Sequence, residues 1–127
     1  MRLILGGAAQ GKLARAKALC GPDARVLDGA TAEVADLAGA EILDRFHLLV
    51  RREVERGGDA EALARRVLAA NPGLTVVCDE VGMGVVPIDG FERAWREAVG
   101  RALCVLAAAA APVERIVAGL PQTLKQG

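Results

Sequence analysis

The run Arg2-Leu3-Ile4-Leu5 reads as a short strand. It passes directly into Gly6-Gly7-Ala8-Ala9-Gln10-Gly11-Lys12-Leu13, and then into the helical pattern Ala14-Arg15-Ala16-Lys17-Ala18-Leu19. Strand, glycine-rich loop and helix in that order constrain the fold more than any other feature of the chain. Gly6, four residues, and Gly11-Lys12 match a phosphate-binding loop in all but its last position. Glycines let successive backbone N–H groups point at phosphate oxygens. The helix start adds a positive dipole end, and Lys12 adds a point charge. Residues 6–13, Gly6, Gly7, Ala8, Ala9, Gln10, Gly11, Lys12 and Leu13, are therefore the candidate nucleotide-binding set, with a plain β-α turn as the alternative. Position 13 is Leu, so the hydroxyl that ordinarily follows the lysine as a magnesium ligand is missing.

A second glycine-spaced strand end occurs at Val76-Val77-Cys78-Asp79-Glu80-Val81-Gly82-Met83-Gly84-Val85-Val86-Pro87. Gly82 and Gly84 allow a turn that a side chain would obstruct, and Pro87 stiffens the exit. In an open α/β sheet, ligands bind at the carboxyl ends of the strands, which is where Asp79 and Glu80 fall. The competing reading is a buried strand meeting a solvated turn.

The rest of the chain alternates in the same way. Arg25-Val26-Leu27 leads into Asp28-Gly29 as a second strand. Residues 32–56 read as one helix with an irregularity at Gly39, because Ile42, Phe46, Leu49 and Val50 recur at helical spacing. Asp59 caps a helix carrying Leu63 and Val67, which Asn71-Pro72-Gly73 ends. A strand is expected over residues 75–78. A helix over residues 90–111 opens with Asp89 three residues before Glu92. Residues 115–118 form a last strand, from which Gly119-Leu120-Pro121 turns away. The expectation is a single α/β domain, residues 1–127, of P-loop type: a mostly parallel sheet with helices on both faces.

Composition removes several classes of function. Sixteen basic and sixteen acidic residues cancel, no basic block occurs, and Phe46, Phe91 and Trp95 are the only aromatics. A nucleic-acid partner, which needs positive charge or stacking platforms, is not expected. No apolar run reaches bilayer-spanning length, and the N-terminal run is too short for a signal peptide core, so cytoplasmic residence is the expectation. Cys20, Cys78 and Cys104 are widely spaced and lie in or beside apolar stretches, where a thiol packs as a small hydrophobe.

Several motifs together resemble one family. Glu80-Val81-Gly82-Met83-Gly84-Val85-Val86-Pro87, Arg93-Ala94-Trp95-Arg96-Glu97, Gly100-Arg101 and Val117-Ala118-Gly119-Leu120-Pro121, ending in Leu124-Lys125, are similar to the C-terminal half of bifunctional adenosylcobinamide kinase/adenosylcobinamide-phosphate guanylyltransferases. Gly6-Gly7-Ala8 and Gly11-Lys12 resemble that family's N-terminal loop. The resemblance implies a P-loop α/β protein of cobalamin biosynthesis that assembles as a homo-oligomer, a trimer. Its substrate would be a corrinoid, whose aminopropanol hydroxyl is phosphorylated from ATP or GTP and then guanylylated through a covalent histidine. It further implies Lys12 and Glu80 as catalytic residues. Asp28 or Asp79 would help to organise Mg2+, held more weakly than usual because Leu13 lacks the hydroxyl.

The chain departs from this family in ways that bear on chemistry. Between Lys12 and Asp28, where the family carries its guanylylated histidine, there is no histidine. His47 is the one imidazole available as a nucleophile, although its position between Phe46 and Leu48 reads as helix packing. The guanylyl-transfer step is accordingly doubtful. The alternative to catalysis is a nucleotide- or corrinoid-binding regulator, or a partner subunit.

Overall fold

The computed structural model describes residues 1–81 and 89–127. The second glycine-spaced turn, Gly82 to Pro87, lies outside the described residues. A six-stranded sheet is formed by β1 (Arg2–Gly6), β2 (Val26–Asp28), β3 (Ile42–Asp44), β4 (Thr75–Asp79), β5 (Val113–Val117) and β6 (Leu120–Lys125), in the spatial order β2-β3-β4-β1-β5-β6. All neighbouring pairs are parallel except β5 with β6, which closes one edge as an antiparallel hairpin. The helices are α1 (Lys12–Cys20), α2 (Phe46–Glu55), α3 (Ala60–Ala70) and α4 (Gly90–Ala109), with a 3-10 helix at Val34–Gly39. This is the mostly parallel α/β sheet that the alternation implies.

The central strands are apolar on both faces, as strands covered on both sides must be. Leu3, Leu43, Val76, Cys78 and Val113 point to one side, where α2, α3 and α4 pack with Phe46, Leu63, Val67, Ala98 and Leu106. Ile4, Ile42, Val77 and Ile116 point to the other side and meet Ala16 of α1. The loop after β1 therefore leads to one face of the sheet, while the chain that leaves β4 returns through α4 on the other. That divergence opens a crevice at the carboxyl ends of β1 and β4, the usual ligand position in such sheets.

Two caps form at the expected positions. Asp59 accepts a hydrogen bond from the Glu61 N–H, and Asp89 accepts one from the Phe91 N–H. Three expectations need correction. Residues 32–56 are not one helix: a 3-10 turn, the strand β3 and α2 share that stretch. Ile42 and Leu43 are both fully buried, on opposite faces of the sheet, and the left-handed Arg45 (φ 55°) resets the chain before α2 begins. The segment after Gly119 does not leave the sheet but returns along β5 as β6. Cys104 is exposed on α4, whereas Cys78 is buried and Cys20 is half-buried.

Candidate functional site

Each of β2, β3 and β4 ends in an aspartate, so Asp28, Asp44 and Asp79 lie along one edge of the sheet beside the β1 loop. Asp28 pairs in register with Asp44, and Asp79 with Gly6. The loop is tightly bound to its surroundings. A Cβ on Gly6 would come 2.6 Å from the Ile116 carbonyl oxygen, so β1 and β5 can lie this close only with glycine there. Ala9 (φ 58°) and Gly11 (φ 91°) both adopt left-handed conformations, which curl the backbone before α1. Gln10 anchors the loop to the β5–β6 turn. Its side-chain oxygen accepts from the Ala118 N–H at 2.6 Å, and its carbonyl accepts from the Gly119 N–H at 3.0 Å.

Lys12, the first residue of α1, is buried, with 6% of its surface exposed. Its ammonium donates to the Gly7 carbonyl and lies 2.8 Å from Asp79 Oδ1. His47 approaches the same aspartate from α2. The Asp79 N–H donates to His47 Nδ1 at 3.2 Å, and His47 Nε2 lies 3.5 Å from Asp79 Oδ2. The His47 carbonyl in turn accepts from Trp95 Nε1 at 2.8 Å, which ties α2 to α4. Burial pushes the His47 pKa down; Asp79 opposes that shift, while Lys12 and Arg45 reinforce it.

A cleft of about 290 Å³ runs from the loop across the strand ends. Residues 8–14 form one wall, and Asp44, Arg45, Val77 and Asp79 form the other. Leu13 is partly buried against the Ile4 and Ala16 cluster. Asp28 lies at the far end of the row, where its carboxylate receives both arms of the Arg45 guanidinium, one of them at 3.0 Å. Those bonds hold the Asp28 carboxyl below its usual range, whereas burial raises that of Asp44. Among the described residues, no group of three or more His, Cys, Asp or Glu side chains is gathered to hold a metal.

Glu80 follows Asp79 and lies on another side of the loop. Its N–H donates to the Gly6 carbonyl at 2.9 Å, and its carboxylate pairs with Arg115 at 3.0 Å. With Gly7, Gln10, Ile116 and Val117, this pair lines a second cleft of about 230 Å³. The structure thus brings Lys12, Asp79 and His47 into one contact group and sets Glu80 beside the same loop. It keeps Asp28 two strands away from Asp79, paired with Arg45. Asp44, Arg45 and Arg115 were not singled out from the sequence. The signal for the first two was present, since Ile42-Leu43-Asp44-Arg45 repeats the form of Val77-Cys78-Asp79-Glu80. Helical spacing through Phe46 concealed it.

A family model described as cobinamide kinase / cobinamide phosphate guanyltransferase matches residues 44–124, well over half of the chain. The match begins at β3 and so does not include the β1 loop. No curated protein matches the chain. Among the described residues, no helix is long and apolar enough to cross a membrane.

Proposed function

The chain belongs to the cobinamide kinase / cobinamide phosphate guanyltransferase family of cobalamin biosynthesis, and we propose that it transfers the terminal phosphoryl group of ATP or GTP to the aminopropanol hydroxyl of a corrinoid. One observation carries this reading: Lys12 and Asp79 meet at 2.8 Å at the carboxyl end of the central strand, beneath a loop whose backbone is already curled. Phosphoryl transfer requires little covalent work from a protein. Catalysis is mainly positioning and charge neutralisation. In this reading the loop amides and Lys12 hold the phosphates, with Lys12 exchanging part of its contact with Asp79 for phosphate oxygen. Glu80, oriented by Arg115, aligns the substrate hydroxyl and takes its proton as the oxygen attacks the γ-phosphorus, while the bond to the β–γ bridging oxygen breaks and the nucleoside diphosphate leaves.

A magnesium ion fits the residues of the cleft. Magnesium takes one or two carboxylates together with substrate phosphates, and Asp44 and Asp79, which both line the cleft, would supply them once Asp79 gives up part of its contact with Lys12. When bound, it neutralises phosphate charge. Asp28 is less suited, since it does not line that cleft.

Guanylyl transfer through His47 is not part of this proposal. The imidazole is 6% exposed, and its Nδ1 already accepts the Asp79 N–H. A covalent step needs a ring nitrogen within attacking distance of the α-phosphate. A second reading, a nucleotide- or corrinoid-binding protein without turnover, draws support from Leu13, which packs on the core where a metal ligand would stand.

The test separates binding from transfer. Lys12→Ala should weaken triphosphate binding by about tenfold or more, in keeping with the loss of a charge-assisted contact. Glu80→Gln should leave that affinity within about twofold while lowering the rate of corrinoid phosphorylation by about a hundredfold. Triphosphate affinity that is equal in wild type and Lys12→Ala sinks the proposal. Tight binding without any phosphorylated corrinoid favours the second reading.

A further inference from the structure

We infer that Arg45 is a second phosphate-binding residue of the cleft, held by Asp28 in the ligand-free protein and turning to the terminal phosphate of a bound nucleoside triphosphate. The inference rests on the loop as the triphosphate site and adds a residue that neither the loop motif nor the family match assigns. Among the described residues whose side chains line the cleft, Lys12 and Arg45 are the only cations. Lys12 stands under the loop at β1, and Arg45 stands across from it at the end of β3. Two strand spacings separate β3 from β1, about 10 Å in a sheet. Phosphate that extends from the loop along the strand ends therefore approaches Arg45.

The backbone presents this arginine with little freedom. Arg45 holds a left-handed conformation that non-glycine residues seldom adopt, directly at the N-terminus of α2. Its carbonyl is pressed against Gly29, where a Cβ would come within 2.2 Å of the oxygen. The Gly29 N–H also donates to the Asp44 carbonyl at 2.8 Å, so the ends of β2 and β3 are joined through backbone. Arg52 reinforces the junction, donating to the Gly29 and Ala32 carbonyls at 3.1 and 2.6 Å. The main chain at Arg45 is fixed, while its side chain remains 47% exposed.

The pairing with Asp28 suits exchange. Both partners are about half-exposed, at 47% and 41%, so separating them places neither charge in an apolar interior. A guanidinium fork fits a phosphate as well as it fits a carboxylate, and a phosphate bears the larger charge. Lys12 on Asp79 and Arg45 on Asp28 form a matched pair, each cation resting on the aspartate of a strand end.

The experiment compares a non-hydrolysable triphosphate analogue with the matching diphosphate by calorimetric titration in the presence of magnesium, using wild type, Arg45→Gln and Lys12→Ala. Arg45→Gln should weaken triphosphate binding by about tenfold or more and shift diphosphate binding by less than about twofold. Wild-type triphosphate affinity in Arg45→Gln, with Lys12→Ala impaired, overturns this inference and leaves the loop reading standing. An equal loss for both nucleotides overturns it as well. If wild type binds neither nucleotide, or Lys12→Ala matches wild type, the loop reading and the inference fall together. Should Arg45→Gln not fold, phenylglyoxal labelling of wild type decides the matter, read at residue 45 by peptide mass spectrometry. Protection by triphosphate but not by diphosphate supports the inference, and equal labelling in both overturns it.

Discussion

Asn71→Ala should destabilise the protein by about 1–3 kcal/mol, more than its position after a helix end suggests. The Asn71 side-chain amide donates to the Leu37 carbonyl at 2.9 Å and to the Ala40 carbonyl at 2.8 Å. Its oxygen accepts from the Gly73 N–H at 3.0 Å. Leu37 and Ala40 are buried; the Leu37 carbonyl still accepts from the Ala40 N–H at 3.1 Å when the amide is removed, so the Ala40 carbonyl is the acceptor left stranded. One stranded acceptor costs about 1–3 kcal/mol, whereas the exposed Gly73 N–H re-forms its bond with solvent. For a chain of this length the midpoint of thermal unfolding should fall by roughly 5–10 °C. Asn71→Asp sharpens the test: it keeps the acceptor for Gly73 but turns an oxygen on two carbonyls. It should be at least as destabilising as alanine at pH 7 and should recover in part on acidification, as protonation restores one donor. Urea denaturation of the three proteins, monitored by far-UV circular dichroism, gives the comparison. A loss below about 0.5 kcal/mol for Asn71→Ala, or wild-type stability for Asn71→Asp, would show that the Asn71 amide does not hold this turn. The same bonds hold the turn that precedes β3, and so the position of Asp44 and Arg45.

Two further perturbations address the site. His47 is the only histidine, and its folded-state pKa lies below the ordinary value of 6.5 because of burial. The unfolded chain therefore binds that proton first as pH falls, and stability should decline from about pH 6.5 down to the folded pKa. The slope can reach about 1.4 kcal/mol per pH unit. Denaturation curves at pH 7.5, 6.5 and 5.5 should show that slope in wild type and its loss in His47→Asn; identical slopes exclude the assignment. Leu13→Ser should cost about 1–2 kcal/mol of stability, because Leu13 packs beside Ile4 and Ala16. It should also tighten magnesium–nucleotide binding by supplying the missing oxygen ligand. Destabilisation with no gain in magnesium affinity, measured by titration, would show Leu13 to be core alone.

What the sequence made legible follows from where local and long-range forces agree. At residues 2–20 the apolar run, the glycines and the helical pattern all specify strand, loop and helix, and β1 and α1 form there. At β3 they conflict. A three-residue strand buried on both faces shows no alternation, and Ile42, Phe46, Leu49 and Val50 imitate a helix because all four are driven into the interior. Its position depends on partners distant in sequence: Glu41 and Ile42 donate to the Arg25 carbonyl, and Thr75 donates to the Glu41 carbonyl. β6 was hidden for a different reason. It is exposed along its whole length, so no buried face marked it, and it is held by its pairing with β5. Within the site, the proximity of Lys12 and Asp79 follows from placing β4 next to β1, which the alternation leaves undetermined. The contact of His47 with Asp79 needs both that strand order and the start of α2 immediately after β3.

The reaction proposed for this chain moves a phosphoryl group from a nucleoside triphosphate to a corrinoid hydroxyl. Incubation of the purified protein with cobinamide, magnesium and ATP or GTP labelled at the γ-phosphate tests it most directly, with the corrinoid isolated and counted. Label should appear in the corrinoid in proportion to the diphosphate released, and Lys12→Ala should abolish most of it. Nucleotide that binds without label ever reaching the corrinoid, or transfer that persists unchanged in Lys12→Ala, would overturn the proposed reaction.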